Sequence, residues 1–122
     1  MDTKEIENKE VSEEQPLSIK RYSVYWTDLN PTRGAEMYKR RPCIVISPDE
    51  LNRYLNTVVI VPVTTALHEY PWRFEFLVRG EKNYAAIDQI RTIDKSRVMR
   101  FFMDLTNEEK EGIHEKLQHF FA

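Results

Sequence analysis

Residues 22–27 set Tyr22, Val24 and Trp26 against Ser23, Tyr25 and Thr27, the period of two expected of a half-buried strand. The next stretch, 28–42, holds Pro31, Gly34 and a basic cluster of Arg33, Lys39, Arg40 and Arg41, which predicts a long, solvated loop. An apolar run follows at 43–46. Ser47-Pro48-Asp49-Glu50 then reads as an N-cap, a first-turn proline and a capping-box glutamate, opening a short helix with Leu51, Tyr54 and Leu55 on one face. Residues 57–63 are almost all β-branched and apolar, as in a buried strand, and Pro62 implies an edge or a bulge because it removes a ladder donor. Residues 73–78 alternate again with Phe74, Phe76 and Val78 on one face, a turn is expected at 80–83, and further strands at 84–87, 89–92 and 97–102. Thr106 and Glu109 form a second capping box, after which Ile113, Leu117, Phe120 and Phe121 make the apolar stripe of a terminal helix that should cover an open side of the sheet.

Six or seven short antiparallel strands, one inserted helix and a C-terminal helix predict a mainly β fold with α additions (α+β), a strongly bent sheet or small barrel. A length of 122 residues allows one domain with one modest core. The formal charge of -2 conceals an uneven distribution. Residues 1–17 carry six acids and two lysines, leaving 16 basic and 14 acidic residues in the body. We therefore expect two parts: an acidic, disordered tail at 1–17 and a folded domain at 18–122 with a slight positive excess that can hold a basic groove. No apolar run approaches the roughly 20 residues that span a bilayer, and the charged start at Asp2, Lys4, Glu5 and Glu7 is unlike a secretory signal. The expected address is the cytoplasm, with no membrane partner.

Several chemistries lack their signatures. Cys43 is the single cysteine, so neither an internal disulfide nor a cysteine-based zinc cluster is available, and its apolar neighbours make it a core residue. His114 and His119, five apart on a helix, fall on different faces. We expect no metal and no cofactor. His68 reads as a solvated loop histidine. With three glycines in all, there is no P-loop, dinucleotide motif or nucleophile elbow. What remains is a polyanion site: the basic loop at Arg33, Lys39, Arg40 and Arg41, a second basic set at Arg91, Lys95, Arg97 and Arg100, and the aromatics Tyr38 and Trp72, the residue types that phosphate contact and base stacking require.

Four ordered blocks carry a more specific signal: Val24-Tyr-Trp-Thr-Asp-Leu-Asn-Pro-Thr-Arg-Gly, Arg40-Arg-Pro-Cys-Ile-Val-Ile-Ser, Val61-Pro-Val-Thr-Thr and Asp88-Gln-Ile-Arg-Thr-Ile-Asp-Lys. In order and spacing they resemble the MazF/PemK toxins, over roughly residues 20–121. The resemblance implies an SH3-like barrel that forms a homodimer, is restrained by a MazE-like antitoxin peptide, and cuts single-stranded mRNA selectively and without metal, using the substrate's own 2′-hydroxyl. Carried over residue by residue, it makes Arg41 the guanidinium on the scissile phosphate and Thr64 a hydroxyl on the same group. Glu36 becomes a general base or a loop anchor. Asp88 and Gln89 match the family's Asp-Gln pair, with Asp88 fixing loop geometry or reading a base edge, while Arg33, Lys39, Arg40, Thr65, Tyr38, Trp72 and Arg91 are candidate RNA contacts. The chain departs from the family where Met37, Tyr38 and Lys39 follow Glu36, in place of glutamine and glycine. That leaves an alternative, a barrel that binds RNA or an antitoxin-like peptide without cleaving.

Overall fold

The computed structural model describes residues 18–37, 39–66 and 71–122; the acidic segment 1–17, Tyr38 and His68 lie outside them. Seven strands, β1 (Ser23–Asp28), β2 (Arg40–Val45), β3 (Thr57–Thr64), β4 (Arg73–Val78), β5 (Glu81–Ala86), β6 (Arg91–Asp94) and β7 (Val98–Asp104), are joined by helices α1 (Asp49–Tyr54) and α2 (Asn107–Phe120) and by 3-10 turns at Ile87–Gln89 and Lys95–Arg97. The strands pair in the order β4-β5-β3-β2-β1-β7, with β6 attached to β3. Consecutive strands β6 and β7 thus pair with β3 and β1 respectively, so the 3-10 turn between them closes the sheet on itself. The result is the curled, SH3-like barrel architecture that the sequence predicts.

The strand β3 organises this curl. Its first half, Thr57 to Ile60, pairs with β6, and Val63 and Thr64 pair with β5. Pro62 is buried between the two partners, opposite Cys43 of β2. β3 is therefore central and not an edge; the proline occupies the break between two ladders, where a missing donor is tolerated.

Two apolar clusters flank β1 and β2. Val24 and Ile44 face one, with Val61, Phe76 and the α2 residues Ile113 and Leu117. Tyr25, Cys43 and Val45 face the other, with Ile60, Ile93 and Val98. The expected half-buried alternation is corrected accordingly: Tyr25 and Thr27 are buried as well as Val24, because the barrel interior covers one face and α2 with the β4–β5 hairpin the other.

Other expectations shift for local reasons. β2 begins at Arg40, so Arg40 and Arg41 are strand residues opposite Asp28 and Thr27, not loop. The β4–β5 turn is the two-residue Arg79-Gly80, both with positive φ (51° and 81°), the geometry that matches strand twist in tight hairpins, and this returns Glu81, Lys82 and Asn83 to β5. Ser47 does not cap α1. Pro48 is the N-cap, while the Ser47 hydroxyl donates to Asn52 Oδ1 and accepts from the Val59 amide at 3.1 Å. This polar node pins α1 to β3, and Tyr54 and Leu55 face outward. The second capping box is present: Thr106 Oγ1 accepts from Glu109 N, and Glu109 Oε1 accepts from Thr106 N. α2 lies so close to β4 that a Cβ at Gly112 would run into the Phe74 ring. Phe121 falls beyond the helix and is exposed, so the stripe ends at Phe120.

Candidate functional site

The curl leaves a groove of about 590 Å³ over the ends of the central strands. β2 contributes Arg40 and Arg41, the end of β3 contributes Thr64 and Thr65, the hairpin contributes Arg79, Glu81 and Asn83, and the far wall is Trp26 of β1 with Phe102 of β7. The Arg41 backbone is fixed by its pairing with Thr27, and its half-buried guanidinium donates to the Val63 carbonyl at 3.4 Å and lies 3.7 Å from Met37 Sδ. That carbonyl immediately precedes Thr64. Thr64 Oγ1 accepts from the Ala66 amide at 3.1 Å, which uses acceptor capacity and leaves the O–H to donate. A cation and a hydroxyl donor are thereby brought onto one groove from two adjacent strands.

The far wall is assembled from opposite ends of the strand path. The Arg79 guanidinium lies over the Phe102 ring, 5.2 Å from its centroid, and Phe102 packs against Trp26 at 5.4 Å. Sequence reasoning missed this wall and the hairpin residues Glu81 and Asn83. Trp26 stands out in the sequence only as part of the alternation of β1, and the closing of the sheet is what brings β7 and the hairpin tip together.

The loop residues 29–37, which reach the groove where Met37 meets Arg41, are tied down by Glu36, Gln89, Arg91 and Arg97. Glu36 Oε1 accepts from Arg33 N at 2.9 Å, and Glu36 Oε2 lies 4.0 Å from Arg91. Gln89 Oε1 accepts from Met37 N at 3.3 Å, Arg91 donates to the Leu29 carbonyl at 3.5 Å, and Arg97 donates to the Asn30 carbonyl. Glu36 thereby links the loop backbone at Arg33 to Arg91. Arg73 grips both oxygens of Asp88, at 2.8 and 3.1 Å, with the arginine side chain only 6% exposed. Trp72 packs on Phe120 of α2 at 5.2 Å and helps cover the core, and it is not among the residues that line the groove. Arg33 and Lys39 stay exposed on the loop, and Tyr38 lies outside the described residues.

Cys43 is fully buried, and desolvation pushes its thiol up to about 12 against the opposing Thr27 hydrogen bond and the charges of Arg41 and Arg91. It is a protonated core residue beneath the groove. His114 shares a 3.0 Å hydrogen bond with the Tyr22 hydroxyl. Among the described residues, no three of His, Cys, Asp and Glu converge as metal ligands, and no helix is long and apolar enough to cross a membrane.

Residues 20–121 match the family model described as the PemK-like, MazF-like toxin of type II toxin-antitoxin system. The chain belongs to this family. Among its relatives, endoribonuclease EndoA of Bacillus subtilis (strain 168) is 31% identical over 108 residues, spanning 84% of this chain and 93% of the relative. MazF from Deinococcus radiodurans superposes with a TM-score of 0.77 at 22% identity, covering 87% of this chain and 98% of that one. A mycobacterial endoribonuclease, solved in complex with its cognate antitoxin, superposes with a TM-score of 0.72 at 22% identity, covering 85% and 95%. For this PemK/MazF-family chain, the solved structures share the curled barrel on which the groove is built.

Proposed function

We propose that the chain is the toxin of a type II toxin–antitoxin pair and that it acts as an endoribonuclease whose site is the groove at Arg41 and Thr64. The observation that carries this reading is the convergence of the Arg41 guanidinium and the Thr64 hydroxyl at the ends of β2 and β3, in a chain 31% identical to an endoribonuclease. In the mechanism we envisage, the substrate's 2′-oxygen loses its proton and bonds to phosphorus. The bond from phosphorus to the 5′-oxygen breaks as that oxygen takes up a proton, leaving a 2′,3′-cyclic phosphate and a 5′-hydroxyl. The phosphorane carries extra negative charge. The Arg41 guanidinium grips its non-bridging oxygens, and Thr64 donates to the same group, so stabilisation comes from donors already in place. Glu36 and Gln89 act as positioning residues that hold the 29–39 loop, and Arg40 and Thr65 extend the phosphate contact along the groove.

The same reading makes the chain a homodimer acting on mRNA in the cytoplasm, restrained by a MazE-like antitoxin whose peptide competes with RNA for this basic groove; MazE–MazF assemblies from Deinococcus radiodurans, with TM-scores of 0.71 and 0.72, support the partnership. The test is incubation of the purified chain with mixed-sequence single-stranded RNA in excess EDTA, mapping product ends with Arg41→Ala alongside. Cyclic-phosphate ends at a recurring short sequence, lost in the variant, are the expected result. One observation favours a second reading, a binder that does not cut: the Met37 sulfur rests against the Arg41 guanidinium, where a substrate phosphate must approach. Intact RNA that is nonetheless bound would establish that reading instead.

A further inference from the structure

The hairpin tip that closes the groove carries a set of groups with a chemistry of its own. Arg79 is exposed, in a positive-φ position that the two-residue turn imposes, and its guanidinium sits over the Phe102 ring, itself buttressed by Trp26. Stacking on a ring fixes the plane of a guanidinium while leaving its N–H edge available. Two residues on, Glu81 lines the same groove, and among the described residues its carboxylate makes no ion pair. Asn83 donates from Nδ2 to the Glu81 carbonyl at 3.3 Å, which orients its amide within the groove wall. A guanidinium held over a ring and a carboxylate acceptor therefore line the same groove.

We propose that Arg79 and Glu81 form a guanine-reading subsite, which selects the base flanking the phosphate held by Arg41 and Thr64. This rests on the endoribonuclease reading and adds to it a specificity determinant. Guanine presents acceptors, O6 and N7, on one edge, which an arginine fork matches. It presents donors, N1–H and the N2 amine, on its Watson–Crick edge, which single-stranded RNA leaves open to a carboxylate. Adenine reverses the polarity at position 6 and carries no proton on N1, so it meets Arg79 and Glu81 with the wrong partners. Cytosine and uracil lack the N7 acceptor. Phe102 and Trp26 serve as backing that keeps the fork from turning away.

The experiment uses the full chain, Arg79→Ala and Glu81→Gln on one randomised RNA pool, followed by single oligonucleotides in which the selected guanosine is replaced by 7-deazaguanosine or inosine. Circular dichroism melting shows that each variant is folded. Wild type should enrich guanosine at one fixed position beside the cut by roughly tenfold or more. The 7-deaza substitution, which deletes N7, should slow wild-type cleavage and have no further effect in Arg79→Ala; inosine, which deletes the N2 amine, should slow wild type and have no further effect in Glu81→Gln. Cleavage by wild type with no guanosine preference, or a preference unaltered in both variants, overturns the subsite and leaves the endoribonuclease reading intact. Should wild type bind RNA without cutting it, that earlier reading fails, and the same oligonucleotides in equilibrium binding decide the subsite: guanosine selectivity lost in the variants supports it, and equal affinity for all four bases overturns it.

Discussion

The two ends of strand β4 carry the same side chain in opposite employment. At its start, Arg73 is buried and gripped at two points by Asp88; just past its end, Arg79 is exposed and lies on an aromatic face. A carboxylate partner neutralises an arginine and occupies its N–H groups, whereas a ring face holds it in place and does neither. Arg91 and Arg97, which donate to the carbonyls of Leu29 and Asn30, likewise belong to the frame, while Arg40 and Arg41 line the groove. Frame and site are thus built from one residue type, and what each arginine faces decides which it serves.

Substitutions at the two groups should separate cleavage from stability. Arg41→Ala is expected to lower the RNA cleavage rate by roughly 10²- to 10³-fold or more, the loss typical of removing one donor to a transition-state oxyanion, with a melting temperature close to wild type. Asp88→Ala should do the reverse, costing about 3 kcal/mol in urea unfolding because it strips a buried guanidinium of its ion pair, while correctly folded protein still cuts RNA. Thr64→Val should slow cleavage by roughly tenfold or more, with Thr64→Ser recovering most of it, since only the O–H is required; equal rates in Val and Ser variants would remove Thr64 from the chemistry. Arg91→Ala, which frees the loop at Leu29, should cost about 1 kcal/mol and a few-fold in rate.

A smaller effect should appear in the pH dependence of stability. The Cys43 thiol is raised from 9.0 to about 12 by burial. Between those values the unfolded chain has released a proton that the folded chain retains, so stability is fully present below pH 9.0 and falls above it, by up to about 1.4 kcal/mol per pH unit. Urea titrations from pH 8 to 10.5 should show this decline in wild type and a shallower one in Cys43→Ala.

The strands and α2 were legible in the sequence because their signals are local. The alternation at Phe74 and Phe76 and the Thr106–Glu109 box depend on neighbours within a few residues. Arg41 and Thr64 were legible through motif resemblance alone, since nothing in their immediate surroundings distinguishes them from other surface polar residues. What stayed hidden needed the closed sheet. Trp26 has the spacing of a core residue, and its role in the groove wall follows from Phe102, 76 positions away. Tyr54 and Leu55 have the spacing of a buried stripe, but the Ser47–Asn52 node turns α1 the other way. Trp72 looks like a stacking platform until α2 is seen lying on it.

The pairing of β1 with β7, Ser23 opposite Asp104, bears on how such a chain is made. Among the described strands β1 precedes its partner β7 by the whole of the sheet, so the wall that Phe102 supplies is missing until the strand ending at Asp104 has emerged and folded back. A nascent chain therefore lacks a complete groove until β7 has folded onto β1.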